Sequence, residues 1–262
     1  MRIVVCVKHV PDVQADRAFT AEGRVDRSQG DGTLNELDEN ALEAAMTLVE
    51  THGGEVVAVT VGPDDAEDAV RRGLQLGAVS GVHVVDDAVA GSDVFGTAEV
   101  LAAVVRRLGE AEPVDLVVTG MAALDSMTSL LPTVLAARLG LPAVTLARTA
   151  AVADGTLTAT RDVEGVTETL PAALPALLSV TDQANEPRYP NFQAIMAARK
   201  RPVERLTLAD LGVDPATVGA GAARTAVLAA RPRPERENRR VIVDDGTAGA
   251  ALAAFLVDNQ LA

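Results

Sequence analysis

Short β-branched runs alternate with longer segments of helical period between residues 2 and 142, and this alternation restricts the fold more than any other feature. The runs are apolar at nearly every position, as in strands of a parallel sheet that helices cover on both faces. Four strands are predicted, at Ile3–Val7, Val56–Val61, Val82–Val85 and Leu116–Thr119. We therefore predict an α/β fold, with a parallel sheet and helices on both of its faces.

The segments between these strands carry helix start and stop signals. Asp38 is predicted to cap the first helix, which ends at His52-Gly53-Gly54, and the second helix follows Gly62-Pro63-Asp64 and stops at Gly77. Two further helices are predicted from Ser92 to about Gly109 and from Leu130 to Leu139.

The periodicity changes to two after Pro142. Ala143–Val152 and Thr156–Val163 are joined by an Asp-Gly turn of the kind found in hairpins, and Leu177–Thr181 is a further apolar strand. We expect these strands to extend the sheet in antiparallel orientation.

Length and composition divide the chain into three regions. A core domain at residues 1–184 is long enough to bury a hydrophobic core, and a loop with a short helix follows at residues 185–204. Residues 205–262 are expected to form an extended arm, in which Arg231–Arg240 is a polar linker and Ala248–Leu261 an amphipathic segment.

Composition excludes several functions. The 23 Lys and Arg residues against 37 Asp and Glu give a net charge of -14, and the chain has only four Phe and one Tyr. Generic nucleic-acid binding needs clustered cations or aromatic stacking platforms, so it is not expected. Cys6 is the single cysteine, which excludes an intrachain disulfide and any multi-cysteine metal site, and a reducing cytoplasm is the expected compartment.

Catalytic motifs are also absent from the sequence. It contains no GxGxxG, no GxxxxGK[ST] and no GxSxG, and no apolar run approaches the ~20 residues of a membrane span. His9, His52 and His83 are far apart without metal-ligand spacing, and each is interpreted as a surface or strand-edge residue. We therefore assign no catalytic and no metal-binding residue.

The turn after the fourth strand is long and rich in small residues, from Gly120 to Ser129. Ligands of parallel sheets bind at the carboxyl ends of the strands, where backbone N–H groups and a helix N-terminus can hold a phosphate. The hydroxyls of Ser126, Thr128 and Ser129 fit such a nucleotide cradle, and they equally fit an ordinary loop that caps the next helix.

Several motifs resemble those of the electron transfer flavoprotein β subunit, in particular its actinobacterial-type members, over about residues 1–213. They lie at the first strand end, before the first helix, at the second strand end, around the Gly120 turn and after residue 184. They read VKHVPD (residues 7–12), LNELD (34–38), VTVGP (59–63), GMAALD (120–125) with AARLGLP (136–142), and NEPRYP (185–190) followed by IMAA (195–198).

The resemblance implies a heterodimer in which the α subunit holds most of the single FAD and the β subunit binds a structural AMP. Lys8, in the first strand-to-helix turn, is added here as a candidate nucleotide contact, with a solvated strand-end charge as the alternative. The resulting candidate set is Cys6, Lys8, Asn35, Glu36, Leu37, Asp38, Val61, Gly120, Met121, Ala122, Ala123, Leu124, Asp125, Ser126, Met127, Thr128, Ser129, Leu130 and Leu131.

Three roles within this set stay open or differ from the family. Cys6 is interpreted as a small buried apolar residue without a redox role. Asp125 either caps the helix or meets the ribose and phosphate. Leu130 and Leu131 replace a polar pair typical of the bifurcating type, in which the β subunit binds a second FAD, so AMP is the expected ligand. The alternative function, from another class of protein, is that of a stand-alone nucleotide-binding α/β protein.

Residues 188–205 carry five cations against Glu204, a local charge of +4 in an acidic chain. The resemblance implies that this region docks on acyl-CoA and related dehydrogenases, with Phe192 as the apolar anchor, although one usual lysine is replaced by Ala197. A core position for Phe192 is the alternative. The candidate partner contacts are Tyr189, Phe192, Ile195, Met196, Arg199 and Lys200. The implied function is an electron carrier, with a membrane quinone oxidoreductase as acceptor.

Overall fold

The computed structural model describes residues 1–14, 18–27, 32–231, 234 and 241–261. It separates into two units, Met1–Leu228 and Ala229–Ala262. The first unit contains all the strands found in these described residues, and each unit is described by itself below.

A seven-stranded parallel sheet forms the centre of the first unit. The strands of the chain are β1 (Arg2–Cys6), β2 (His9–Pro11), β3 (Gly32–Leu34), β4 (Glu55–Val61), β5 (Ser80–Val84), β6 (Leu116–Gly120), β7 (Ala143–Ala147), β8 (Thr149–Ala153), β9 (Thr156–Val163), β10 (Val166–Ala173), β11 (Ala176–Val180) and β12 (Val203–Leu206). Their order in the sheet is β12-β5-β4-β1-β6-β11-β7. The predicted α/β fold is confirmed, because the four strands read from the sequence form its middle.

Helices cover both faces of this sheet and bury two apolar clusters. The helices are α1 (Glu36–His52), α2 (Glu67–Leu76), α3 (Val94–Ala111), α4 (Leu131–Leu139), α5 (Phe192–Ala198), α6 (Gly219–Ala222) and α7 (Ala248–Asp258). Ile3 and Val5 of β1 pack with α1 and α2, whereas Val4 and Cys6 pack with α3 and α4. Successive strand residues therefore serve opposite cores, which is why β1 is apolar throughout.

The strands after Pro142 differ from the sequence prediction. β8 and β9, which correspond to the predicted hairpin, are antiparallel as expected, but they form a separate three-stranded sheet with β10, which was not predicted. β7 and β11 are parallel members of the main sheet, and β11 lies between β6 and β7. Every residue of β11 is buried, as in a central parallel strand, so its antiparallel assignment was wrong. The predicted stretch 143–152 is divided near Leu146, whose φ is 61°.

His83 is not the surface or strand-edge residue that the sequence suggested. It lies in β5, which β4 and β12 flank on either side, and its side chain is fully buried. The prediction was wrong because β12, which covers one side of β5, lies far along the chain at Val203–Leu206, so the local sequence around His83 did not indicate its burial.

The first unit continues past residue 204, where the sequence analysis placed the start of the C-terminal arm. Leu206, Leu208 and Val218 are buried in the core of the first unit, which extends to Leu228. The predicted linker, residues 231–240, lies outside the described residues except at positions 231 and 234. In the second unit, α7 has no buried residue. Among the helices that the structure describes, none is long and apolar enough to cross a membrane.

Candidate functional site

The carboxyl ends of three neighbouring strands bring the predicted nucleotide contacts to one edge of the sheet. Cys6, Val61 and Gly120 are the last residues of β1, β4 and β6, and β1 lies between the other two strands. Parallel α/β sheets bind their ligands at this edge.

Asn35 connects the start of α1 to the loop after β6. Its side chain is completely buried, and Nδ2 donates to the carbonyl of Ala122 at 2.9 Å while Oδ1 accepts from the Leu124 N–H at 3.0 Å. It occupies the N-cap position of α1 without a side-chain cap hydrogen bond. Its amide therefore fixes the loop and not the helix, and holds residues 120–125 beside residues 35–38.

Asp38 is buried in the first turn of α1 and is not the N-cap that the sequence predicted, since the helix already begins at Glu36. Its Oδ2 accepts from the Lys8 N–H at 2.9 Å. Burial raises the pKa of Asp38 to about 7, although hydrogen bonds from Asn35 and from the Lys8 and Gly120 amides act in the opposite direction. The carboxyl is thus held close to its titration point at neutral pH.

Gly120 permits the close approach of β6 to α1. A Cβ at this position would lie 2.6 Å from Asp38 Oδ1 and from the Leu37 carbonyl oxygen, both too close for a side chain. A larger residue at Gly120 would displace backbone, so the strand end and the predicted segment 35–38 are fixed together.

Asp125 is the centre of a charged cluster. Its side chain is 2% exposed, Lys8 Nζ lies 2.8 Å from Oδ1, and Arg27 donates to Oδ2. Burial would raise the pKa of Asp125, but the charge and hydrogen bond of Lys8 and the charge of Arg27 outweigh it and hold that pKa below its ordinary value. Two cations against one carboxylate leave one net positive charge. Sequence reasoning missed Arg27, because its segment carries no motif and lies 98 residues from Asp125.

The rest of the loop is open to solvent. Ser126, Met127, Thr128, Ser129 and Leu130 are all exposed, and Met127 and Ser129 adopt positive φ values of 51° and 50°. No side chain caps the N-terminus of α4 in this fully described stretch. The hydroxyls that the sequence offered as caps or phosphate donors are therefore not used as caps.

Cys6 lies in the sheet as a buried residue beside Asp38. Burial and then the charge of Asp38 raise the pKa of its thiol to about 12. The side chain is a neutral thiol at physiological pH, and such thiols are poor nucleophiles.

The predicted partner contacts lie on the surface, in the short helix α5 and in the residues on either side of it. Tyr189 is 93% exposed and Phe192 76% exposed, Met196 is also exposed, and Ile195 is partly covered. Asn191 caps α5 by accepting from the Ala194 N–H at 2.9 Å. Phe192 is therefore not a core residue of this chain, which removes the alternative interpretation of that side chain.

The cations of this region fall into two groups. Arg188 binds Glu43 at 2.7 Å and Glu50 at 2.5 Å, and these carboxylates raise its pKa. Arg201 donates to the Leu74 and Ala78 carbonyls, and Arg205 pairs with Asp64. Arg199 and Lys200 are exposed. The positive charge left for a partner is thus smaller than the sequence count of +4 indicates.

Comparisons with known proteins agree with this architecture. The electron transfer flavoprotein domain matches residues 23–211. The β subunit of the electron transfer flavoprotein of Mycobacterium leprae is 38% identical, over 99% of this chain and 98% of its own length. The chain belongs to the electron transfer flavoprotein β-subunit family.

Other members of this family are more distant but still cover most of the chain. The β subunit of Megasphaera elsdenii is 30% identical over 92% of this chain and 91% of its own length. The caffeyl-CoA reductase-Etf complex subunit CarD of Acetobacterium woodii is 33% identical over 99% of this chain and 97% of its own length. The resemblance read from the sequence is thereby confirmed. Within the described residues, no group of three or more His, Cys, Asp and Glu side chains is placed to hold a metal ion.

Proposed function

We propose that this chain is the β subunit of a heterodimeric electron carrier. The carrier accepts electrons from dehydrogenases, such as acyl-CoA dehydrogenases, and delivers them through FAD to a membrane quinone oxidoreductase. The α subunit holds most of the FAD, and the β subunit makes and breaks no bonds itself. Family membership over nearly the whole chain supports this proposal. We place the carrier in the cytoplasm.

AMP is the ligand we propose for the sheet edge, and the cluster around Asp125 is the observation that carries this assignment. Lys8 and Arg27 leave one net positive charge beside the exposed hydroxyls of Ser126, Thr128 and Ser129. The uncapped N-terminus of α4 adds backbone N–H groups, which favour a phosphate. The site therefore fits a nucleoside monophosphate, which serves as a structural ligand.

In this proposal the buried residues Asn35 and Asp38 arrange the backbone of the site. Asn35 holds the 35–38 and 120–125 segments together through buried hydrogen bonds, and Asp38 accepts from the Lys8 N–H at the end of the first strand. Because these bonds are made within the protein, the backbone around the nucleotide is already arranged before the ligand arrives, which lowers the ordering cost of binding.

Two surfaces are proposed for protein partners. The exposed ring of Phe192, with Tyr189 and Met196, docks on the dehydrogenase, and Arg199 and Lys200 steer its approach. The C-terminal region, which ends in α7 with its exposed Leu252 and Val257, forms an arm on the α subunit.

Coexpression with an α-subunit reading frame tests the proposed function. The expected product is a stable yellow heterodimer that releases FAD and AMP in comparable amounts on acid extraction. Two FAD per heterodimer without AMP would instead identify the bifurcating type. A colourless monomer that hydrolyses ATP would identify a stand-alone nucleotide-binding protein and refute the carrier.

A further inference from the structure

Thr60 and His83 form a buried polar pair outside the network described above. They are register partners on the adjacent strands β4 and β5, and they are 1% and 0% exposed. Among the described residues, Thr60 Oγ1 and His83 Nδ1 are the buried side-chain polar atoms that have no hydrogen-bond partner. Buried polar atoms are seldom left unpaired, so this coincidence on neighbouring strands needs a physical account.

The other ring nitrogen of His83 identifies the tautomer. Nε2 lies 3.1 Å from the Gly62 carbonyl oxygen and 3.0 Å from the Pro63 carbonyl oxygen. Both neighbours are acceptors, so Nε2 carries the proton and donates to them. In a neutral imidazole Nδ1 then has a free lone pair, and the hydroxyl of Thr60 is a matching donor. In the structure these two atoms do not bond to each other, so the pairing requires a rotation of the Thr60 side chain, or one bridging water between strands that lie about 4.8 Å apart.

The carbonyls that His83 holds belong to the turn between β4 and α2. Pro63 O also accepts from the Ala66 N–H at 2.9 Å, and Gly62 N–H donates to Val84 O at 3.1 Å. This turn directly follows Val61, the β4 residue at the candidate nucleotide site. The imidazole therefore fixes the backbone at the boundary of that site from inside the sheet.

We propose that His83 is a positioning residue, whose Nε2–H is fixed by the Gly62 and Pro63 carbonyls and holds the 62–66 turn against the nucleotide, while its Nδ1 pairs with the Thr60 hydroxyl. The part that concerns AMP rests on the proposed function. His83 acts through the turn carbonyls and needs no contact with the ligand.

Three measurements on the purified heterodimer test this proposal. The first is ¹⁵N NMR of histidine-labelled protein, in which this chain contributes only three histidines. His83 Nε2 should be protonated, and its Nδ1 resonance should move in Thr60→Val, which removes the hydroxyl, but not in Thr60→Ser, which keeps it. A proton on Nδ1 of the wild-type protein would overturn the assignment.

The second measurement follows the turn itself. Amide hydrogen exchange at residues 62–66 should accelerate in His83→Leu and stay near the wild-type rate in His83→Gln, whose side-chain N–H can replace Nε2–H. Equal acceleration in the two variants would overturn the role of the donated hydrogen bond.

The third measurement is the rate at which bound AMP exchanges with labelled AMP. One lost hydrogen bond corresponds to an increase of about tenfold in His83→Leu, and His83→Gln should stay within about threefold of wild type. Unchanged exchange in His83→Leu would refute the link to the nucleotide. If the wild-type heterodimer holds no AMP, the proposed nucleotide fails on its own, while NMR and amide exchange still decide the tautomer and the turn.

Discussion

The sheet edge around Asp38 buries polar side chains, whereas the surface around Phe192 exposes apolar ones. At the sheet edge polar side chains are buried and bonded within the protein, as Asn35 is to Ala122 and Leu124. At the surface an aromatic ring is 76% exposed on a seven-residue helix. The hydrogen bonds of the first region are made on folding, whereas the second region leaves its apolar area exposed, so the two should respond differently to substitution.

The largest expected effect concerns Asp38 and pH. The unfolded chain loses this proton near the ordinary pKa of 3.8, whereas the native protein keeps it to about 7. The native state binds more protons in this window, so its contribution to stability falls as pH rises from about 4 to 7. We expect the free energy of unfolding of wild type, relative to Asp38→Asn, to fall by about 3 kcal/mol between pH 5 and pH 8.

Urea titrations at both pH values measure this difference. Asp162→Asn is the control, because the exposed Asp162 carboxyl has a lowered pKa and is ionised throughout this range. A wild-type protein that keeps its stability advantage over Asp38→Asn unchanged from pH 5 to pH 8 would show that Asp38 titrates normally.

The next effect compares two asparagines at helix N-caps. Asn35→Ala leaves the Ala122 carbonyl and the Leu124 N–H without their buried partner, so we expect a loss of about 2–3 kcal/mol of stability and weaker AMP retention. Asn191→Ala removes only the cap of α5, worth about 1 kcal/mol locally. For both variants, chemical denaturation measures the loss of stability, and the AMP content of the heterodimer measures AMP retention. Equal losses of stability would mean that the two regions are not built differently.

Sequence reasoning identified the local elements of this molecule better than its long-range contacts. The strands β1, β4, β5 and β6 and the ends of α1 and α2 follow from periodicity and glycine positions, whereas the three-residue strands β2 and β3 were not predicted. β12 was missed because Val203–Leu206 has charged residues in its middle and is recognisable only by its pairing with β5. Arg27 and the buried state of Asp38 likewise depend on residues that are distant in the chain, and no local pattern encodes them.

A third comparison separates docking from folding at Phe192. Phe192→Ala should raise the Michaelis constant of the dehydrogenase for the carrier by an amount worth roughly 2 kcal/mol, chiefly through faster dissociation. The unfolding free energy should barely change, because the ring is mostly exposed. Steady-state kinetics with an acyl-CoA dehydrogenase measures the first quantity and denaturation the second. Phe19→Ala, which removes a ring that is 50% exposed, is the matched control and should leave the Michaelis constant unaltered.

The docking role of Phe192 would be wrong if Phe192→Ala turned over normally with the dehydrogenase but unfolded more easily. Phe192 would then be a structural residue. FAD and AMP should stay bound in Phe192→Ala, since both ligands are proposed to lie elsewhere.

The smallest effect is expected from the charges beside Phe192. Arg199→Gln with Lys200→Gln should slow association with the dehydrogenase and flatten its dependence on salt, while dissociation stays near wild type. Steering by exposed charges is screened over about 8 Å at physiological ionic strength, so the difference should vanish at high salt. Stopped-flow association rates at several salt concentrations measure it.

The structure also determines which arginines belong in that experiment. Arg188 and Arg201 should be left intact, because their guanidinium groups bind Glu43 and the end of α2, and removing them would test folding instead of steering. Arg106→Gln with Arg148→Gln removes the same two charges from other exposed positions and is the control. Because Arg106 donates to the Arg138 carbonyl and Arg148 pairs with Asp162, the unfolding free energy of this control is measured beside its association rate. If this control slows association as much as the Arg199 and Lys200 pair does, the net charge of the chain governs the encounter and the surface beside Phe192 has no steering role.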